Sequence, residues 1–130
     1  MYFKYFQPNE KDEKGEYGDC AIRAICKAEN LSWQNAYELM YNLSKEIQCP
    51  MNIKPGFEYI VKYLGYSYGK FKKLKKGEHR KSVKEFAKTH QHGIYICNTA
   101  CHYVTIYNGH YYDSWDSGDK YLYSYWYKEA

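Results

Sequence analysis

No stretch of this sequence is apolar for long enough to cross a bilayer, so no membrane-spanning segment is expected. Residues Met1-Tyr2-Phe3-Lys4-Tyr5-Phe6 carry neither the apolar core nor the small-residue cleavage site of a secretion signal. Proline is scarce, with 3 in 130 residues, which leaves few forced breaks in regular structure. Charge of either sign is not in large excess. Nineteen Lys and Arg against fifteen Asp and Glu give a formal net charge of +4, well short of a dedicated nucleic-acid binder. The cysteines number 5, an odd count that cannot close into a full set of disulfides. Without an export signal, the expectation is reduced thiols in a cytoplasm. Internal repeats and long linkers are also missing, so residues 1–130 read as one domain with a sizeable core.

What the sequence has in abundance is tyrosine, 18 residues in all. Each brings a hydroxyl that must find water or a partner, which suits an α+β domain with a wet face better than a greasy bundle. Residues 1–7 alternate aromatic and polar and predict a short strand. Residues 8–19, with Pro8, Gly15 and five acids, read as an exposed loop. Asp19 is placed to cap a helix from about Cys20 to Glu29, with Ile22, Ile25 and Cys26 at core spacing. Ser32 caps a second, Trp33 to Ile47, whose apolar face runs Trp33, Ala36, Tyr37, Met40, Leu43, Ile47. Pro55 starts a third, with Phe57, Ile60, Val61 and Leu64 inward and Gly65 as its stop. Tyr66 to Phe71 predicts a strand, Ser82 the start of a short helix, Gly93 to Cys97 a buried strand, and Tyr121 to Tyr127 the last strand. Residues 98–100 read as a turn. Helices first and strands afterwards predict an α+β fold, N-terminal helices packed on a C-terminal antiparallel β-sheet.

The most informative stretch is Cys101 to Asp113. Asn108-Gly109 between alternating β-formers is a strong hairpin signal, because a type I′ turn needs positive φ at both central residues. Counting outward from that turn, His102 opens the first strand and Asp113 closes the second, so both fall near the open end of the hairpin. A His and an acid held on rigid backbone are a pair waiting for a third group. Cys20 is the candidate. It falls in the first turn of a helix, where free backbone N–H groups favour a thiolate and can hold a developing oxyanion.

Each of these residues also has a plainer role open to it. Cys20 is a small hydrophobe that a helix end can bury, His102 a satisfied strand histidine, and Asp113 a turn cap for Trp115-Asp116. Asp116 and Asp119 compete for the acid role, but their Ser/Gly-rich surroundings make them turn formers. His110 lies at the wrong end of the hairpin and is expected to be exposed. Cys97, Cys101 and His102 invite zinc, yet a tetrahedral site needs a fourth ligand. The simpler expectation puts Cys97 and Cys101 in the strand core and Cys26 in the helix core, with no metal and no cofactor. Lys70 to Lys88 holds ten Lys, Arg or His residues. It reads as a solvated face, with nucleic acid, stacked on nearby Tyr and Phe, as the alternative partner.

Cys at the start of an N-terminal helix, His at the start of a strand and Asp on the next strand is the order of the papain-like cysteine peptidase superfamily. Asp19-Cys20 and His102-Tyr-Val-Thr-Ile with Tyr111-Tyr112-Asp113 resemble the corresponding segments of its small bacterial members, such as the bacteriocin-processing peptidases. Gly18-Asp-Cys-Ala-Ile-Arg-Ala-Ile25 and Tyr112-Asp-Ser-Trp-Asp-Ser117 also resemble short uncharacterised phage and prophage proteins. The resemblance implies a papain-like fold in which Cys20 is the nucleophile, His102 the general base and acid, and Asp113 the group that orients the imidazole. The superfamily's oxyanion-hole Gln would fall at the position of Lys14. Gln7 or Asn9 folding back, or the Cys20 N–H with a Lys14 ammonium, are the substitutes on offer. The expected activity is that of a cysteine peptidase or amidase acting through an acyl-thioester on a peptide or protein, a host protein included. The alternative is a degenerate papain-like binding module that captures a host protein or nucleic acid. Neither reading involves a membrane, and both place the chain in a cytoplasm, that of the host cell if phage-encoded.

Overall fold

A computed structural model describes residues 2–129. Its elements run, in chain order, β1 (Phe3–Tyr5), α1 (Cys20–Glu29), α2 (Trp33–Ile47), α3 (Lys54–Tyr63), β2 (Ser67–Lys70), α4 (Val83–Thr89), β3 (Ile94–Thr99), β4 (His102–Tyr107), β5 (His110–Asp113) and β6 (Leu122–Lys128). The architecture is α+β. The strands form one sheet in the order β1-β5-β4-β3-β6-β2.

That sheet is mixed, which corrects the expectation of an antiparallel one. β3, β4, β5, β6 and β2 pair antiparallel, while β1 runs parallel to β5. β4 occupies one edge of β5, and β1 covers the other, where unpaired backbone groups would otherwise face solvent. Tyr111 N donates to Tyr2 O at 2.9 Å and Phe6 N to Asp113 O at 2.8 Å. The N-terminal strand is thereby tied to the end of β5 that carries Asp113.

Local chemistry sets the element ends. Asn108 and Gly109 both have positive φ, 49° and 85°, and join β4 to β5 in a two-residue turn. Gly65, with φ of 95°, closes α3: Gly65 N donates to Lys62 O and Tyr66 N to Val61 O, the paired bonds of a Schellman stop. Ser82 and Glu85 cap α4 reciprocally. The turn placed at residues 98–100 is shorter than expected. Asn98 and Thr99 continue β3, and Ala100-Cys101 alone make the turn, because Thr99 Oγ1 donates to His102 O at 2.9 Å and holds the strand pairing to its last residue.

Two cores sandwich the sheet. α1 lies across β4, α2 packs on α1 and α3 on α2. Ile25, Met40, Phe57, Ile60, Ile96 and Trp126 are sealed between them. Behind the sheet, α4 covers Cys97, Val104, Ile106, Tyr111 and Leu122. No described helix is long and apolar enough to cross a membrane. The loop at residues 8–19 is mostly exposed, as expected, with Asn9, Asp12 and Asp19 as its buried residues. Asp12 is buried, and its carboxylate accepts from Glu16 N at 2.8 Å and Tyr17 N at 3.0 Å, folding the loop on itself.

Candidate active site

Three elements converge at one end of the sheet. α1 begins with Cys20, β4 with His102, and β5 ends with Asp113. His102 Nε2 and Asp113 Oδ2 are 2.5 Å apart. The Cys20 sulfur lies close enough to the His102 ring and to the Tyr103 backbone N–H for both to favour its charged form. Since Asp113 occupies Nε2, Nδ1 is the nitrogen left for the sulfur.

The electrostatics favour a charged pair. Burial pushes the Cys20 thiol up, but the hydrogen bonds from His102 and Tyr103 and the charges of His102 and Arg23 outweigh it and leave the thiol below its usual range. Burial likewise opposes the His102 imidazolium. The bonds and charges of Asp113 and Cys20 overcome that and raise it to about 9. Each group thus favours the charged form of the other, and the arrangement leans toward thiolate beside imidazolium. Among the other thiols, Cys26 is pushed up to about 12, by burial first and the charge of Asp19 second. Burial pushes Cys97 higher still.

Asp113 is 1% exposed and saturated with donors. Besides His102 it accepts from Ser117 Oγ at 2.6 Å, Ser114 N at 2.8 Å and Arg23 Nη1 at 3.4 Å. Arg23, 5% exposed, also reaches Asp19 Oδ1 at 3.2 Å. Asp19 precedes α1 but makes no side-chain cap bond to it. Its other oxygen instead takes Trp33 Nε1 at 2.9 Å and Asn9 Nδ2 at 3.4 Å. One polar network thus runs from α2 through Asp19, Arg23 and Asp113 to His102. The Trp115 ring lies 5.0 Å from the His102 ring, 45% exposed, and flanks the imidazole on its open side.

The sulfur is reachable. Gly18, Cys20, Asn52, Asn98, Thr99, Cys101, His102 and Tyr103 line a cleft of about 340 Å³. None of the three oxyanion candidates from the sequence lines it. Asn9 is committed to Asp19 and, through Oδ1, to Lys11 N. Lys14 is exposed on the acidic loop. Gln7 accepts from Asn9 N through Oε1, while its buried Nε2 has no partner among the described residues.

Of the other expectations, those for Cys101 and His110 change, and those for Cys97 and Asp116 stand. Cys101 is not a core residue: it is exposed at the cleft rim, in the Ala100-Cys101 turn, with φ of 56°. Cys97 is in the core behind the sheet. Among the described residues no group of three or more His, Cys, Asp or Glu could hold a metal. His110 is half-buried rather than exposed. Asp116 accepts from Tyr111 Oη at 2.5 Å and Gly118 N at 3.0 Å, the bonds of a turn former.

Sequence reasoning missed Arg23, Trp115 and Ser117. Arg23 had left a signal: a lone charge in Ala21-Ile-Arg-Ala-Ile25, three residues past Cys20 and four past Asp19, on the same helical face as both. Trp115 and Ser117 left none, because an irregular turn has no periodicity from which a facing direction can be read. No family model matches the chain, and neither a curated protein nor a solved structure does.

Proposed function

We propose that this chain is a cysteine hydrolase of papain-like fold, cleaving a peptide, amide or isopeptide bond through an acyl-thioester. The observation that carries the reading is Cys20 set against the hydrogen-bonded His102–Asp113 pair, with sulfur-bearing and imidazole-bearing residues lining one cleft. A helix-borne sulfur packed against strands that bear the imidazole and carboxylate supports the papain-like assignment.

The Cys20 thiolate attacks the carbonyl carbon, and the C–S bond forms as the carbonyl π pair moves to oxygen. α1 presents its first-turn N–H groups to that oxyanion. As the tetrahedral species collapses, the C–N bond breaks and the His102 imidazolium gives its proton to the leaving nitrogen. The neutral imidazole then takes a proton from water, whose oxygen attacks the thioester and releases the acid and the thiolate. Asp113 holds the ring orientation throughout and stabilises its charged form. The substrate is a peptide or protein segment that enters the cleft, a host protein where the chain is phage-encoded. The five free thiols fit the reducing cytoplasm in which such a nucleophile survives.

Iodoacetamide at pH about 6 tests this, since only a thiolate stabilised by its surroundings reacts there. Cys20 should label well before Cys26, Cys49, Cys97 and Cys101, and His102→Ala should slow it about tenfold or more. Equal labelling of all five, or indifference to His102→Ala, overturns the hydrolase reading and leaves a binding module on this scaffold.

A further inference from the structure

An oxyanion needs a second donor besides the helix N–H groups, and the cleft narrows the choice. Asn98 Nδ2 donates to Ser124 Oγ at 3.1 Å. Thr99 Oγ1 is committed to the His102 carbonyl. Cys101 offers only a weak S–H donor. Gly18 has no side chain. Three groups keep a donor to spare: the second N–H of Asn98, the Tyr103 hydroxyl and the exposed Asn52 amide, the last two of which bond no described residue.

Tyr103 is firmly held. Its ring stacks on Phe57, centroids 4.0 Å apart, and lies 6.2 Å from Trp126. The residue is 8% exposed, yet its hydroxyl is not among the buried polar atoms that lack a partner. The hydroxyl therefore keeps a contact with solvent, and Tyr103 lines the cleft beside Cys20. Its backbone N–H lies beside the sulfur, so the ring and the nucleophile share one anchor. Burial, with the charge of Cys20 behind it, raises the phenol to about 12, so it stays a neutral donor at any working pH. A packed ring holding one solvent-facing donor is what electrostatic stabilisation requires: fixed in advance, with no reorganisation at the moment of reaction.

We propose that the Tyr103 hydroxyl is the side-chain donor to the oxyanion formed when Cys20 is acylated. This rests on the hydrolase reading above and assigns the role to the strand residue after His102, rather than to an amide upstream of the nucleophile.

Two reagents separate the two ideas. Iodoacetamide alkylates Cys20 without forming an oxyanion, whereas p-nitrophenyl acetate acylates it through one. In the acylation the C–S bond forms, the aryl C–O bond breaks, and p-nitrophenolate leaves without needing a proton from His102. Tyr103→Phe keeps the stacking on Phe57 and removes only the oxygen. It should slow p-nitrophenolate release about 10²-fold, the usual cost of losing one oxyanion donor, and leave the alkylation rate at pH 6 within about twofold of the native value. Unchanged acylation in Tyr103→Phe overturns the proposal, and a loss confined to Asn52→Ala transfers the role to Asn52. A parallel fall in both rates also overturns it, since it would mean that the hydroxyl only shapes the thiol. If native Cys20 shows neither fast alkylation nor acylation, it is the hydrolase reading itself that fails.

Discussion

Arg23 and Asp113 stand 90 positions apart in the chain and meet at 3.4 Å, both nearly sealed from water. The guanidinium also holds Asp19, so one buried cation joins the loop before α1 to the end of β5. This joint sets the distance between the helix that carries Cys20 and the strands that carry His102 and Asp113.

Removing that cation leaves two buried carboxylates facing each other. Arg23→Ala should therefore destabilise the fold by about 3–5 kcal/mol, the range for breaking one side of a buried ion pair. The shift in urea midpoint measures it. A loss below about 1 kcal/mol, as for a surface pair, would mean that water reaches this cluster.

The thiolate–imidazolium pair fixes the sign of a pH effect. The folded pKa of His102, about 9, lies above its ordinary 6.5. Its contribution is thus full below pH 6.5 and lost as pH rises through the folded value. Cys20 runs the opposite way: its contribution is present above 9.0 and lost as pH falls through its lowered value. Where the two ranges overlap, from the lowered Cys20 value up to 9.0, the slopes oppose each other in the native chain. Cys20→Ala removes the rising one. Its stability should fall from pH 6.5 upward by as much as about 1.4 kcal/mol per pH unit, over a window cut short at the top because the thiolate also helps raise the imidazolium. Unfolding in urea at several pH values would reveal the slope, and a profile no steeper than the native one would contradict the pairing.

Asp113→Asn keeps the shape and removes the charge that holds His102 protonated. The imidazolium pKa should drop, and with it the counter-charge that keeps Cys20 ionised. The pH–rate profile for alkylation of Cys20 should move to higher pH, with labelling at pH 6 slowed about tenfold or more, equivalent to a pKa displacement of about one unit. An unmoved profile would show that Arg23 and the helix end suffice to activate the thiol.

Gly56 tests the packing of the loop that carries Asn52. It lies inside α3, where Ala is ordinarily better by about 1 kcal/mol. A Cβ there would meet the Pro50 carbonyl oxygen at 2.0 Å, a backbone atom that cannot swing aside. Strain of about 1–3 kcal/mol should outweigh the propensity gain, so Gly56→Ala should lower the thermal midpoint. A rise would mean that the Cys49–Ile53 loop yields easily.

Much of this architecture was legible before folding. The helix from Cys20 to Glu29, the second from Trp33 to Ile47 and the Asn108-Gly109 hairpin follow from apolar period, caps and turn chemistry, all of which act within a few residues. The parallel docking of β1 on β5 was not legible, because Phe3-Lys4-Tyr5 has a strand pattern that fits any open edge. Cys101 misled for a related reason. Alternation assigns a strand residue to a face, but the turn began later than expected, and a positive φ put its sulfur at the cleft rim.

The order and type of the elements, and the placing of His102 and Asp113 at one end of a hairpin, are properties of the sequence itself, since neighbours along the chain dictate them. Which sulfur meets the imidazole, which cation lies behind the carboxylate and which tyrosine lines the cleft were decided only by tertiary structure. Such contacts join residues up to 90 positions apart, and only the shared burial of both faces of the sheet brings them within reach.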